Sequence, residues 1–251
     1  MTTTTIRAWD LPTRLFHWTL AGLFIGAFSI GSLADEKTPT FAIHMLLGLI
    51  LMAAIAFRLV WGFIGSRHAR FSSFLYSPAA LIGYLKDAFA RRDQRYAGHN
   101  PGSSWAIYGM VMLPLALVTT GLLAQPKNEL FEEIHGVLGK VMLAAVIAHL
   151  AGLAFHTWRH RENIALSMVT GKRQGDPAQA IDSSHPVAGV VFVALVAGWA
   201  TVVLRGHDAA ARVVRLPAIG VTIPVSEKVK EPGRQRGHQH GGQQRGGHDD
   251  D

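Results

Sequence analysis

Two histidines, His135 and His149, stand fourteen residues apart inside one apolar run, Leu130 to His160. As a helix rising about 1.5 Å per residue, that separation covers roughly 21 Å, most of a hydrocarbon core about 30 Å thick. Fourteen residues are also close to four whole turns, so both imidazoles leave the same face, one near each membrane surface. Ionisable groups inside a membrane helix are rare and usually functional. A neutral imidazole is a metal ligand, and two at these depths suit axial ligation of two haems stacked across a bilayer. Each haem iron then needs a second imidazole from another helix.

The elements that must position these ligands are legible as apolar runs. Spans are expected at about 15–33, 41–64, 105–124 and 134–158, with a fifth at about 187–204. His17 opens the first span and His44 the second. Gly48 lies one turn after His44, where a small residue lets a flat ring approach the backbone. Arg58, fourteen residues after His44, faces the same side near the other surface. The third span carries Pro114 and no histidine. Ser32-Leu33-Ala34 resembles a signal-cleavage site, but the run is long for a signal and His17 at its start has a use. Trp9 and Trp18 read as interfacial anchors. Pro78 to Ala90 reads as an amphipathic helix lying on the membrane surface. The tail from Arg205 is polar, low-complexity after Glu231, and expected to be largely disordered.

Composition narrows the chemistry. Of 251 residues, 49% are hydrophobic and 16% charged, which together with the long apolar runs indicates an integral membrane protein. There is no cysteine, which excludes disulfides, thiolate metal sites, iron–sulfur clusters and covalent haem attachment. Any haem is held non-covalently. The net charge of +7 sits between apolar runs, a placement that speaks for membrane topology and against nucleic acid. Twelve Lys and Arg flank the spans in the lead and in the second and fourth loops, against two in the first and third. This bias predicts a cytoplasmic N-terminus and, with five spans, a C-terminal tail on the opposite, periplasmic side.

That topology sorts the histidines by height. His44 and His135 fall near the outer surface, and His17 and His149 toward the cytoplasm. Each pair joins two different helices, as ligation of one haem by two imidazoles requires. Arg58 is a candidate partner for a propionate of the inner haem, because a buried guanidinium needs an anion. Lys140 could serve the outer haem but points off the histidine face. His68 and His156 are spare ligands; His156 shares the face of His149. His99 is expected to cap its turn, and His238, His240 and His248 lie in the tail.

Several segments, in order, resemble the prokaryotic cytochrome b561 family. They are WDLPTRLFHW (9–18), FRLVWGFIGSRHARF (57–71), GHNPG (98–102), the His135/His149 spacing and RENIALSMVTGK (161–172). That family includes the b-type subunits of nickel–iron hydrogenases. The resemblance covers about residues 7–175. It implies an all-α transmembrane bundle with a four-helix di-haem core, two non-covalent b haems, and electron exchange between a redox partner and the quinone pool. The family's ligand positions fall on His17, His44, His135 and His149. The expected organisation is a di-haem domain at 1–175, a linker and fifth helix at 176–204, and a tail at 205–251.

The expected role is that of an electron carrier, or cytochrome b subunit of an oxidoreductase, in the bacterial inner membrane and respiratory chain. Its partner would be a hydrogenase, another dehydrogenase or a cytochrome, with a quinone as possible substrate. Two alternatives are also compatible with these residues. One is a transporter or metal-binding protein that uses the histidines as proton or metal ligands. The other is a haem-containing membrane anchor.

Overall fold

The computed structural model describes residues 4–90, 101–125, 128–217 and 220–225. His99, most of the 98–102 segment, and His238, His240 and His248 lie outside the described residues, so the readings made for them have no structural counterpart here.

Five helices are long and apolar enough to cross a membrane: α1 (Leu11–Leu33), α2 (Pro39–Ile64), α4 (Pro101–Leu123), α5 (Glu129–His160) and α7 (Pro186–Gly206). The third helix, α3 (Pro78–Phe89), is the amphipathic segment, and α6 (Ser167–Thr170) is a single turn. Each spanning helix begins before the apolar run that reveals it. Proline stands in the first turn of α1, α2, α4 and α7, where its missing N–H costs nothing and its fixed φ suits a helix start. Asp10 caps α1 by accepting from the Thr13 amide at 2.8 Å, a bond of the kind worth about 1 kcal/mol.

The hub is α2, which packs against α1, α4 and α7. Of its apolar window 39% is buried, against 6% for α5. Phe16 and Leu20 of α1, Leu51, Ala54 and Ile55 of α2, and Phe192 of α7 form one core cluster. The fifth helix is therefore built into the bundle. Helix α5 pairs chiefly with α4. Met142 is its one buried residue among those described, meeting Phe24 of α1 and Leu117 of α4.

Both ends of the bundle carry small sheets. At one end β1 (Thr4–Arg7) pairs antiparallel with β2 (Lys172–Gly175). The lead is thus folded, with Ile6, Ala8 and Asp10 buried. Its register is fixed by Gly171, whose φ of +76° turns the chain so that its carbonyl accepts from Ala8 and Trp9. Trp9 is correspondingly a member of this cap, donating to Ser167 Oγ at 3.0 Å, and not simply an interfacial anchor. Two of the segments quoted for the family resemblance, 9–18 and 161–172, pack on one another here.

The reading of the tail needs correction. Three antiparallel strands follow α7: β3 (His207–Asp208), β4 (Val213–Leu216) and β5 (Val221–Pro224). Val214, Leu216 and Val225 are buried in one cluster with Val203 of α7 and Ala42, Met45, Leu46 and Leu49 of α2. Polar residues dominate the tail by count, but the apolar residues of 213–216 and 221–225 supply one face of a sheet, and α7 and α2 together supply the surface that buries it. Residues 226–251 lie outside the described residues.

Candidate functional site

His44 on α2 and His135 on α5 meet between the helices. Their ring centroids are 5.8 Å apart and their planes nearly perpendicular, at 86°. His44 Nδ1 lies 2.8 Å from the carbonyl of Ala27 on α1. His135 Nδ1 lies 2.9 Å from the carbonyl of Leu117 on α4 and 3.2 Å from Thr120 Oγ1. A carbonyl only accepts, so Nδ1 carries the proton in both rings and Nε2 keeps its lone pair. This is the outer hydrogen bond that usually sets tautomer and ring orientation in a metal-binding histidine.

The two docking sites share a construction. Ala27 has a glycine four residues on, Gly31; Leu117 has Gly121. A Cβ at Gly31 would come within 2.7 Å of His44 Nδ1, and one at Gly121 within 3.2 Å of the His135 ring. Each imidazole reaches a helix carbonyl because the residue one turn later has no side chain. Neither glycine is singled out by the sequence reading. Their signal was available: a glycine in an apolar run at the height of a histidine on the neighbouring span.

At the other end, His17 on α1 and His149 on α5 are close enough to interact electrostatically. Both are half-buried. His17 stands edge-on to Trp18, with centroids 5.1 Å apart, and its Nδ1 is buried with no hydrogen-bond partner among the described residues. Trp18 in turn donates to the Met168 carbonyl at 3.1 Å, tying this level to the folded cap.

Arg58 lies at the same end. It is 4% exposed, and its guanidinium sits 4.8 Å from the Phe71 ring centroid and 6.0 Å from that of Phe16, the residue before His17. Its Nη1 is buried with no hydrogen-bond partner among the described residues. Aromatic faces offset part of the cost of burying a cation, but they give it no acceptor. Lys140 is exposed. His68 is spoken for by the cap, with Nε2 2.8 Å from the Gln179 carbonyl and its ring edge-on to Trp9. Burial pushes the His68 pKa below its ordinary value, with Arg67 and Arg173 adding to the effect and the Gln179 bond opposing it. His156 is on α5, two turns past His149.

These residues can be tested for fit to haem. Two imidazoles bound to one metal from opposite faces, with metal–nitrogen bonds of about 2 Å, place their ring centres about 6 Å apart. His44 and His135 come close to that value with both Nε2 atoms available. The helix face at Gly48 is open, since a Cβ there would meet nothing within 4 Å. Arg58 offers a buried cation without an acceptor. The donor set fits.

The model of one protein family, described as prokaryotic cytochrome b561, matches residues 8–171. The chain belongs to this family. As a cytochrome b561 it is a haem-b protein of membrane electron transfer, and its apolar helices are those of a membrane protein. It is similar to a probable Ni/Fe-hydrogenase B-type cytochrome subunit of Rhizobium leguminosarum bv. viciae, 23% identical over 214 residues, covering 67% of this chain and 88% of the relative. The corresponding protein of Bradyrhizobium diazoefficiens is 22% identical, covering 68% and 86%. The probable Ni/Fe-hydrogenase 1 B-type cytochrome subunit of Escherichia coli K12 is 25% identical over 135 residues, covering 45% and 57%. No solved structure gives a significant match. The family match stops at residue 171, so α7 and the C-terminal sheet lie beyond it.

Proposed function

We propose that this cytochrome b561 carries electrons between a redox partner and the membrane quinone pool through two non-covalent b haems. His44 and His135 would hold one haem, His17 and His149 the other, and Arg58 would pair with a propionate of the second. When bound, haem b supplies a reversible one-electron couple at its iron. The protein's own part is to fix ring orientation, separation and polarity. The observation that carries the reading is the His44–His135 pair: two rings from different helices, each turned by a neighbouring carbonyl so that Nε2 is left to bind.

The proposed partner is a hydrogenase, because the relatives above are named as hydrogenase cytochrome subunits. A quinone is proposed on the strength of a groove of about 1050 Å³ between α2 and α7, lined among others by Met52, Phe57, Trp61, His185, Val191 and Trp199. It lies toward the Arg58 end of α2 and has room for a quinone ring and the start of its tail. The charge bias favours a bacterial inner-membrane protein with the folded N-terminal cap in the cytoplasm and the C-terminal sheet outside.

A difference spectrum of the purified protein tests this reading. Dithionite should produce low-spin b-type bands with two haems per chain, and a quinol analogue should reduce part of the same signal. The rival reading, proton or metal transport by the same histidines, requires a protein without these bands. The pairing of His44 with His135, each ring turned by a carbonyl of a neighbouring helix, supports the first.

A further inference from the structure

Asp10 is fully buried, at 0% exposure. Its carboxylate accepts from the Thr13 amide at 2.8 Å, from Trp61 Nε1 at 3.1 Å and from Ser66 Oγ by a short bond. Thr13 belongs to α1, Trp61 to α2, and Ser66 to the turn that follows α2. A single side chain therefore pins the start of one helix to the end of the other.

Two features of the proposed haem site hang on that pin. His17 follows Asp10 by seven residues, close to two turns, so the cap that fixes where α1 begins also fixes the height and heading of His17. Arg58 precedes Trp61 by three residues on α2, so the Trp61 bond holds the turn that carries the guanidinium. Asp10 and Arg58 act on one another electrostatically, yet no direct ion pair joins them among the described residues. The carboxylate spends its lone pairs on neutral donors. It supplies balancing charge at a distance and leaves Arg58 Nη1 without an acceptor.

We infer that Asp10 is a positioning residue for the haem proposed between His17 and His149: it sets the register of α1 on α2 and keeps the Arg58 guanidinium charge-balanced but free to meet a propionate. This rests on the assignment of Arg58 to that propionate. A carboxylate consumed by Arg58 would leave no cation for the haem. A helix start without the carboxylate would leave His17 free to slide relative to Arg58.

The test is a redox titration of the purified holoprotein, with the two low-spin haem signals resolved by EPR. Asp10→Asn keeps the shape and removes the charge. The expected result is retention of both haems, a potential shifted upward for the His17/His149 haem because a nearby anion favours the oxidised form, and no shift for the His44/His135 haem. Arg58→Gln should shift the same haem downward. No shift in either haem of Asp10→Asn, or equal shifts in both, would overturn the inference. If Arg58→Gln leaves the potential unchanged, the propionate assignment itself fails. If Arg58→Gln moves it and Asp10→Asn does not, only the role of Asp10 fails. Should Asp10→Asn not assemble, Trp61→Phe decides, since it keeps the charge and the helix cap and cuts one tether. A changed EPR line for the His17/His149 haem alone supports the inference, and an unchanged line overturns it.

Discussion

The two histidine pairs are held in different ways. The His44/His135 pair is set from within the bundle. Each ring docks on the carbonyl of a neighbouring helix, beside a glycine that clears its path. The His17/His149 pair has no such dock at His17, whose Nδ1 has no partner among the described residues. Its surroundings are instead a tryptophan edge, a buried arginine and a folded cap. Backbone carbonyls orient the first pair, whereas His17 is tied through its neighbour Trp18 to the cap. Damage at the bundle interior should therefore reach the first pair alone, and damage at the cap the second.

The largest expected effect is at Gly31. Gly31→Ala places a Cβ 2.7 Å from where His44 Nδ1 now sits, so the ring must leave the Ala27 carbonyl. Loss of an outer hydrogen bond of this kind costs roughly 10–100-fold in metal affinity. Haem titration into the apoprotein should show one site weakened by that factor and the His17/His149 site unchanged. Gly121→Ala, with its nearest contact at 3.2 Å, should weaken the same site less.

Thr120→Val comes next. It removes the longer of two contacts to His135 Nδ1 and leaves the 2.9 Å bond to Leu117. A net loss of about 1 kcal/mol or less is expected, under tenfold in affinity, again at one site. An equal effect on both haems would erase the distinction drawn between the pairs.

The smallest effect is one of pH, and it belongs to the cap. Burial lowers the His68 pKa in the folded protein below its ordinary value of 6.5. The unfolded state then binds the proton more readily. The stability that His68 contributes is thus present above about 6.5 and is lost as pH falls through the lower folded value. Hydrogen-exchange protection at 172–181, taken relative to the intrinsic rate at each pH, should fall between neutral and mildly acid pH, and His68→Gln should flatten that dependence. Exchange that is equally pH-sensitive in the variant would point to another group.

The family and the spanning helices were legible in the sequence because long apolar runs and ordered local motifs are one-dimensional signals. The height-matching of His44 with His135 was legible too, since alternating spans convert residue number into depth. Other features depend on what a segment meets. Residues 213–216 and 221–225 read as part of a polar tail until α7 and α2 offer an apolar face. Helix α5 carries two of the four histidines, and so reads as central, yet the hub is α2, whose central place comes from neighbours and not from motifs. Asp10 sits inside a recognisable motif, but its partners are 51 and 56 residues away. Gly31 and Gly121 gain meaning only from rings on other helices.

The pairing of imidazoles across helices is tested most directly by haem content per chain in the wild type, His17→Ala and His44→Ala. The account predicts two haems in the wild type and about one in each variant. The remaining haem should be spectroscopically different in the two cases. Retention of both haems in both variants would contradict it.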